Sequence, residues 1–146
     1  VSGTVGDVIE AGKKQVGIPY SWGGGTKDGP SEGFGPGAGV KGFDCSSLMM
    51  YMVYQGTGET LPRVAADQYK YTQGNKVASA EDKNTDKLKP GDLLFYGSSP
   101  DTIHHVGMYI GGGKMLHAPV PGQDIEIVDV FYNDYFGATR MDFKSK

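Results

Sequence analysis

The order of the periodic segments along this chain is the feature that most restricts its fold. Apolar residues recur at helical spacing in the first half of the chain, over residues 5–16, 44–55 and 65–73. Short apolar or alternating runs follow in the second half, over residues 93–96, 104–110, 114–118, 125–128 and 136–143. Because helices come first and strands second, without alternation, we predict an α+β fold with N-terminal helices packed on an antiparallel five- to six-stranded sheet.

Length and charge exclude several classes of protein. A chain of 146 residues can bury its own core, so we predict a single domain over residues 1–146. The net charge of −3 does not provide the basic surface that nucleic acid binding requires, and no apolar run is long enough for a membrane span. No unexplained apolar stripe is visible, so we expect a monomer. The chain does not begin with methionine, which leaves open whether it is a piece of a longer secreted protein.

Glycine is concentrated in one part of the chain, between Gly23 and Gly42. Few hydrophobic residues lie in this stretch, which predicts a long irregular loop. Loops of this length in compact domains are commonly lids or walls of a binding site, and the alternative is a disordered insertion. The sequence leaves both interpretations open.

Cys45 is the only cysteine, so it cannot form an internal disulfide. A free cysteine is most often a small buried hydrophobic residue, and the alternative is a nucleophile. The predicted start of the second helix favours the nucleophile, because unpaired N–H groups and the helix dipole stabilise a thiolate and lower the thiol pKa. Asp44, which precedes the cysteine, is predicted to be the helix N-cap. The backbone N–H of Cys45 would then face a developing oxyanion.

Three histidines supply candidate bases for this thiol, at His104, His105 and His117. Neighbouring strand residues point to opposite faces, so only one of His104 and His105 can face the thiol. We predict His105, because the small residue Gly107 on the same face leaves room for a substrate. His117 follows across a glycine-rich hairpin and could hydrogen-bond the far nitrogen of His105, as the third member of a triad does.

A cysteine and two histidines could also bind zinc. Their spacing does not match that of a zinc finger, and the sequence offers neither a second cysteine nor a close carboxylate partner. We therefore predict no metal and no other cofactor. Each histidine could also be an ordinary surface group or a hydrogen-bonded structural group.

A series of motifs follows in one order along the chain. They are Tyr20-Ser21-Trp22-Gly23-Gly24, Phe43-Asp44-Cys45-Ser46, Leu61-Pro62-Arg63, Gln68, Pro90-Gly91-Asp92-Leu93-Leu94-Phe95, His105-Val106-Gly107-Met108-Tyr109-Ile110-Gly111 and His117-Ala118-Pro119. No single motif is decisive, but together they closely resemble the NlpC-type family of papain-like cell-wall peptidases. The resemblance covers residues 4–142.

The resemblance implies a circularly permuted papain-like fold and hydrolysis of peptidoglycan stem peptides, typically at the γ-D-glutamyl bond to meso-diaminopimelate. It also implies that Cys45 is the nucleophile, that His105 is its base and that His117 orients the base. The positions that it associates with substrate binding are Tyr20, Trp22, Asp44, Ser46 and Arg63. A bacterial protein of this family is expected to be secreted or associated with the cell wall, with a peptidoglycan stem peptide as its partner.

The chain departs from the family pattern in three places. Ser47 stands where the family usually has glycine, Val64-Ala65 replace the Thr or Ser that commonly follows the arginine, and the stretch from Gly25 to Gly42 is longer than usual. These differences leave the scissile bond open. The alternatives are an amidase that cuts between muramic acid and L-alanine with the same triad, a transacylase or lysin of the same chemistry, and a cell-wall binding module without activity.

Overall fold

The computed structural model describes residues 3–143. Its helices are α1 (Val5–Lys13), α2 (Cys45–Thr57) and α3 (Ala65–Thr72). Its strands are β1 (Ser31–Glu32), β2 (Lys41–Gly42), β3 (Lys76–Ser79), β4 (Leu93–Tyr96), β5 (His105–Gly111), β6 (Lys114–His117), β7 (Glu126–Asp129) and β8 (Tyr135–Thr139). Among the described residues, no helix is long and apolar enough to cross a membrane.

Six strands form one antiparallel sheet in the order β3-β8-β4-β5-β6-β7. The sheet follows the three helices along the chain, which confirms the predicted α+β fold and the larger of the two predicted strand numbers. The strand of this sheet that the sequence did not predict is β3, which lies at one edge and pairs with β8. Its four residues are mostly exposed or half-buried, so they lack the apolar pattern that marks the other strands.

Both faces of the sheet are covered. On one face, Val106 and Met108 of β5 are fully buried against Leu48 and other residues of α2. On the opposite face, Tyr96 and Tyr135 belong to a second buried cluster that is rich in aromatic rings. Because α2 packs against both α1 and β5, most of its surface is removed from water. The helix is therefore held firmly against β5, an interior strand of the sheet.

Local chemistry sets both ends of α2. The Asp44 carboxylate accepts the backbone N–H of Ser47 at 2.9 Å, and the Ser47 hydroxyl accepts the backbone N–H of Asp44 at 3.0 Å. This reciprocal capping box confirms the predicted N-cap. The same hydroxyl donates to the Gly24 carbonyl at 2.7 Å, so serine at the family's glycine position ties the glycine-rich loop to α2. Gly58 ends the helix at a left-handed φ of 80°, which disfavours a side chain.

The first helix is shorter than predicted. It ends at Lys13, whereas the apolar spacing predicts an end near Gly17. Val16, placed by that spacing on the buried face, is 45% exposed. The chain turns at Gly17, which has a φ of 96°, and the Gly17 N–H donates to the Ile125 carbonyl instead of continuing the helix.

The glycine-rich stretch lies beside the N-terminus of α2. Within it, β1 and β2 pair as a short ribbon, and the Phe34 N–H donates to the Trp22 carbonyl at 3.0 Å. Gln55 of α2 donates from its side chain to the Lys27 carbonyl at 3.0 Å. A Cβ at Gly33 would lie only 1.9 Å from the Trp22 carbonyl oxygen, so the close approach of the two segments requires glycine there. These contacts contradict the disordered insertion, and a role as the lid or wall of a binding site stays a prediction.

Candidate active site

A cavity of about 440 Å³ opens where the N-terminus of α2 meets the start of β5. Cys45 is the first residue of α2, His105 is the first residue of β5, and His117 ends β6, and all three line this cavity. The structure thus brings together the three residues predicted to be catalytic. The other lining residues are Tyr20, Trp22, Tyr96, His104, Pro119, Val120, Pro121, Phe131 and Asn133. Across residues 3–143, no group of three or more His, Cys, Asp or Glu side chains could hold a metal ion.

The Cys45 thiol is buried, with 8% of the residue exposed. The pKa of this thiol is raised to about 11. Burial is the largest cause of the rise, and the neighbouring Asp44 carboxylate is the second. Backbone hydrogen bonds at Val106 and Ser46 partly oppose this rise. The prediction that the helix N-terminus lowers this pKa is therefore wrong, because removing the sulfur from water disfavours the thiolate more than the nearby N–H groups stabilise it.

This pKa predicts slow alkylation of the free protein. Only the thiolate reacts with iodoacetamide, so the rate of Cys45 alkylation is expected to rise about tenfold for each pH unit from about pH 7 to about pH 10. The rate constant should level off only near the thiol pKa of about 11. Mass spectrometry of alkylated Cys45 gives the rate, with a small free thiol of ordinary pKa as the control. A plateau below the pKa of that control would show that a thiolate–imidazolium pair already exists in the free protein.

The two cavity histidines form a hydrogen-bonded row that continues to a carboxylate. His105 Nε2 lies 2.8 Å from His117 Nδ1, which confirms the predicted contact between the two rings. His117 Nε2 lies 2.9 Å from Glu126 Oε2. Sequence reasoning missed Glu126, and its conclusion that the histidines lack a close carboxylate partner is wrong. Glu126 sits directly opposite His117 in the β6–β7 register, and only that pairing of strands could have revealed it.

Both imidazoles of this row are kept from protonation. Burial, followed by the charges of His117 and His104, lowers the pKa of His105 to about 3. Burial also lowers the pKa of His117, although the hydrogen bond and charge of Glu126 oppose the shift. At neutral pH, a neutral thiol and a neutral imidazole base therefore share the cavity, and the base is able to accept a proton.

Two predicted details of β5 are wrong. The space above Gly107 is not left for a substrate, because a Cβ there would lie 2.6 Å from Met115 Sδ and 3.1 Å from His117 Cβ. His104 does not turn away from the cavity but lines it as well. Since β5 begins at His105, strand alternation does not reach His104, which is exposed and lies with its Nε2 2.5 Å from an Asp134 carboxylate oxygen.

A second cavity of about 450 Å³ adjoins the first at Cys45, and Asp44, Ser46 and Arg63 line it. The Arg63 guanidinium pairs with both Asp44 carboxylate oxygens, at 3.1 and 3.0 Å. It also donates to the Ser46 hydroxyl at 3.0 Å. Three of the predicted substrate-binding residues thus form one hydrogen-bonded cluster at the first turn of α2, in which Arg63 remains 39% exposed.

Tyr20 and Trp22, the remaining predicted substrate-binding residues, line both cavities. Burial, and then the charges of Cys45 and Asp44, raise the pKa of the Tyr20 hydroxyl, so it is a neutral hydrogen-bond donor. Trp22 is 48% exposed, and Phe34, which lines the second cavity, is 65% exposed. Phe34 was not predicted as a site residue, because in the sequence it is one aromatic residue within a glycine-rich loop.

Comparison with known proteins assigns the chain to a family. Residues 17–144 match the NlpC/P60 family model. The chain belongs to the NlpC/P60 family. This NlpC/P60 domain is 44% identical over 123 residues to the peptidoglycan endopeptidase RipA of Mycolicibacterium smegmatis, an alignment that covers 84% of this chain and 22% of RipA. It is 42% identical over 146 residues to the gamma-D-glutamyl-L-lysine dipeptidyl-peptidase of Bacillus subtilis, covering 97% of this chain and 42% of that relative.

This NlpC/P60 domain therefore spans less than half the length of these two curated relatives. Among solved structures, it resembles RipD from Mycobacterium tuberculosis, described as a non-catalytic NlpC/p60 domain protein adapted to peptidoglycan binding. The TM-score is 0.80 at 34% identity, and the match covers 93% of this chain and 95% of that chain. The predicted family is confirmed. Because proteins named as hydrolases and a non-catalytic protein share this fold, activity has to be argued from the site residues of this NlpC/P60 domain.

Proposed function

We propose that this domain is a cysteine peptidase that hydrolyses peptidoglycan stem peptides, with the γ-D-glutamyl–meso-diaminopimelate bond as its target. The observation that carries the proposal is the single cavity lined by Cys45, His105 and His117, with the two histidine rings joined at 2.8 Å. The two curated relatives, named as a peptidoglycan endopeptidase and a gamma-D-glutamyl-L-lysine dipeptidyl-peptidase, support this class of substrate. We also propose that residues 1–146 are one catalytic domain of a monomeric protein, secreted or associated with the bacterial cell wall.

The first half of the proposed reaction forms an acyl-enzyme. As Cys45 attacks the scissile carbonyl, its proton passes to His105, since the high thiol pKa disfavours a free thiolate beforehand. The new carbon–sulfur bond gives a tetrahedral oxyanion. Backbone N–H groups at the start of α2 and the neutral hydroxyl of Tyr20 are the proposed donors to that oxyanion. The carbon–nitrogen bond then breaks, and His105 returns the proton to the leaving amine.

The second half of the reaction releases the acyl group. His105 takes a proton from water, the resulting hydroxide equivalent attacks the thioester, and the carbon–sulfur bond breaks. The proton then returns from His105 to the Cys45 sulfur, and the new carboxylic acid loses its remaining proton to solvent and leaves as a carboxylate. His117 orients His105 through both steps, because the 2.8 Å contact restricts the rotation of its ring. Apart from the attacking water, the reacting groups in this sequence belong to the protein and its substrate.

The proposed path of the stem peptide crosses Cys45 from one cavity to the other. Tyr20 and Trp22 face both cavities and would contact the peptide on either side of the scissile bond. The cluster of Asp44, Ser46 and Arg63 lies in only one of them. Arg63 keeps exposed surface there although it is paired with Asp44, so it is the proposed contact for a carboxylate of the substrate.

Digestion of purified muropeptides tests the proposed function. The expected products, identified by mass spectrometry, are a fragment that ends in D-glutamate and a fragment that begins with meso-diaminopimelate. Release of the intact stem peptide from muramic acid would instead show the amidase, and transfer of the acyl group to an added amine would show a transacylase. Binding to sacculi without any product would instead support a non-catalytic peptidoglycan-binding module, which is how RipD is described. A parallel incubation without protein controls for spontaneous hydrolysis.

A further inference from the structure

The β6–β7 pairing places a carboxylate at the far end of the histidine row. His117 and Glu126 are direct partners in the antiparallel register, and their side chains meet at 2.9 Å. His117 itself is 4% exposed, so its ring nitrogens have little access to water. Glu126 reaches it from a more exposed position, with 39% of its side chain accessible. The hydrogen bonds of the buried imidazole are therefore made to His105 on one side and to Glu126 on the other.

The nature of the three groups determines where the protons lie in this row. An ionised carboxylate only accepts hydrogen bonds, so His117 Nε2 must carry a proton and donate it to Glu126. In a neutral His117, the proton on Nε2 leaves Nδ1 as an acceptor. His105 Nε2, 2.8 Å from that atom, must then be the donor, which leaves His105 Nδ1 with its lone pair. That nitrogen is the one that is able to accept the thiol proton.

We propose that Glu126 is a positioning residue that sets the tautomers of both histidines and thereby keeps His105 Nδ1 ready to accept the proton of Cys45. This inference rests on the proposed function for its kinetic consequence, but the proton order itself does not. Glu126 also stabilises the row during the reaction, because a proton that arrives on His105 is compensated through His117 by the carboxylate charge. Without Glu126, His117 could adopt either neutral tautomer. The tautomer with its proton on Nδ1 would donate to His105 Nε2 and reverse the direction of the hydrogen bond between the two rings.

Two variants of Glu126 and one matched control test this role by kinetics. Glu126→Ala should lower kcat on muropeptides about 10- to 100-fold, the range that a hydrogen bond to a charged group supplies, with KM changed less than about twofold. Glu126→Gln should recover part of kcat, because the amide oxygen can still accept from His117. Asp129→Ala is the control, since Asp129 lies on the same strand and pairs in register with Lys114 at the exposed end. Its kcat should remain unchanged.

Imidazole ¹⁵N NMR of the free protein tests the proton order without any substrate. Protonated and unprotonated ring nitrogens are well separated in ¹⁵N shift, and we expect protons on Nε2 of both His105 and His117, with that preference lost in Glu126→Ala. Wild-type spectra with the proton on His105 Nδ1 would overturn the proposal even if the enzyme is active. A folded Glu126→Ala protein with unchanged kcat would overturn it as well. If no variant hydrolyses muropeptides, the proposed function fails and the spectra alone decide the inference.

Discussion

Replacing Cys45 with alanine is expected to lower the rate of stem-peptide hydrolysis by at least about 10⁴-fold, because an enzyme that loses its nucleophile keeps only the catalysis that binding and oxyanion stabilisation provide. The cavity retains His105, His117 and the donors at the start of α2. They can polarise a carbonyl, but they cannot form the acyl-enzyme. Quantification of cleaved muropeptides by mass spectrometry measures the loss directly.

Two controls separate this loss from damage to the fold. Cys45→Ser keeps a side chain of nearly the same size in the buried position, so its thermal unfolding should match that of the wild type while its activity stays low. Cys45→Ala should still bind sacculi, because the groove walls formed by Trp22 and Phe34 are untouched. If either variant cleaves at the wild-type rate, Cys45 is only a packing residue and the proposed chemistry is wrong.

Replacing Arg140 with methionine is expected to lower the free energy of unfolding by about 3–5 kcal/mol. Asp92, which immediately precedes β4, is fully buried, and Arg140 donates to its two carboxylate oxygens at 2.8 and 2.9 Å. Methionine fills a similar volume but leaves the carboxylate, among the partners within residues 3–143, with only the backbone N–H of Lys89 at 2.8 Å. A buried carboxylate without its cation is costly, and the Asp92 side chain has almost no exposure to water in the folded protein. Urea denaturation with an unchanged m-value measures the difference.

An exposed ion pair supplies the matched control. Lys114 pairs with Asp129, and both side chains are at least half accessible to solvent. Lys114→Met should therefore change the unfolding free energy by less than about 1 kcal/mol. A double variant that also replaces Asp92 with leucine should recover much of the stability lost in Arg140→Met, because the unpaired charge is then gone. Equal stability of Arg140→Met and Lys114→Met would show that the buried pair does not stabilise the fold.

Much of the secondary structure near the site could be predicted because its boundaries are set by neighbours in the chain. Asp44 caps α2, Gly58 ends it, and the turn at Pro90-Gly91 precedes β4, so these boundaries are fixed by local hydrogen bonds and backbone geometry. The predicted end of α1 was wrong for the opposite reason. The backbone at Gly17 bonds to Ile125, which lies more than a hundred residues later in the chain.

The sequence also contained the residues that meet in the cavity. A single cysteine before an apolar helical run and histidines on both sides of a glycine-rich hairpin made Cys45, His105 and His117 candidate partners, and the family resemblance implied their roles. Residue types and strand spacing carry that information, since antiparallel strands joined by a short turn place such positions side by side.

Only the tertiary structure decided how these groups are tuned. Glu126 joins the row through the pairing of β6 with β7, which depends on a connection that no local pattern specifies. The thiol pKa rises rather than falls because packing buries the sulfur beside Asp44. Sequence alone therefore determined the α+β class, the order of its elements and the three side chains that meet in the cavity. Burial and register, which arise from contacts between distant segments, decided their protonation states and their supporting carboxylate.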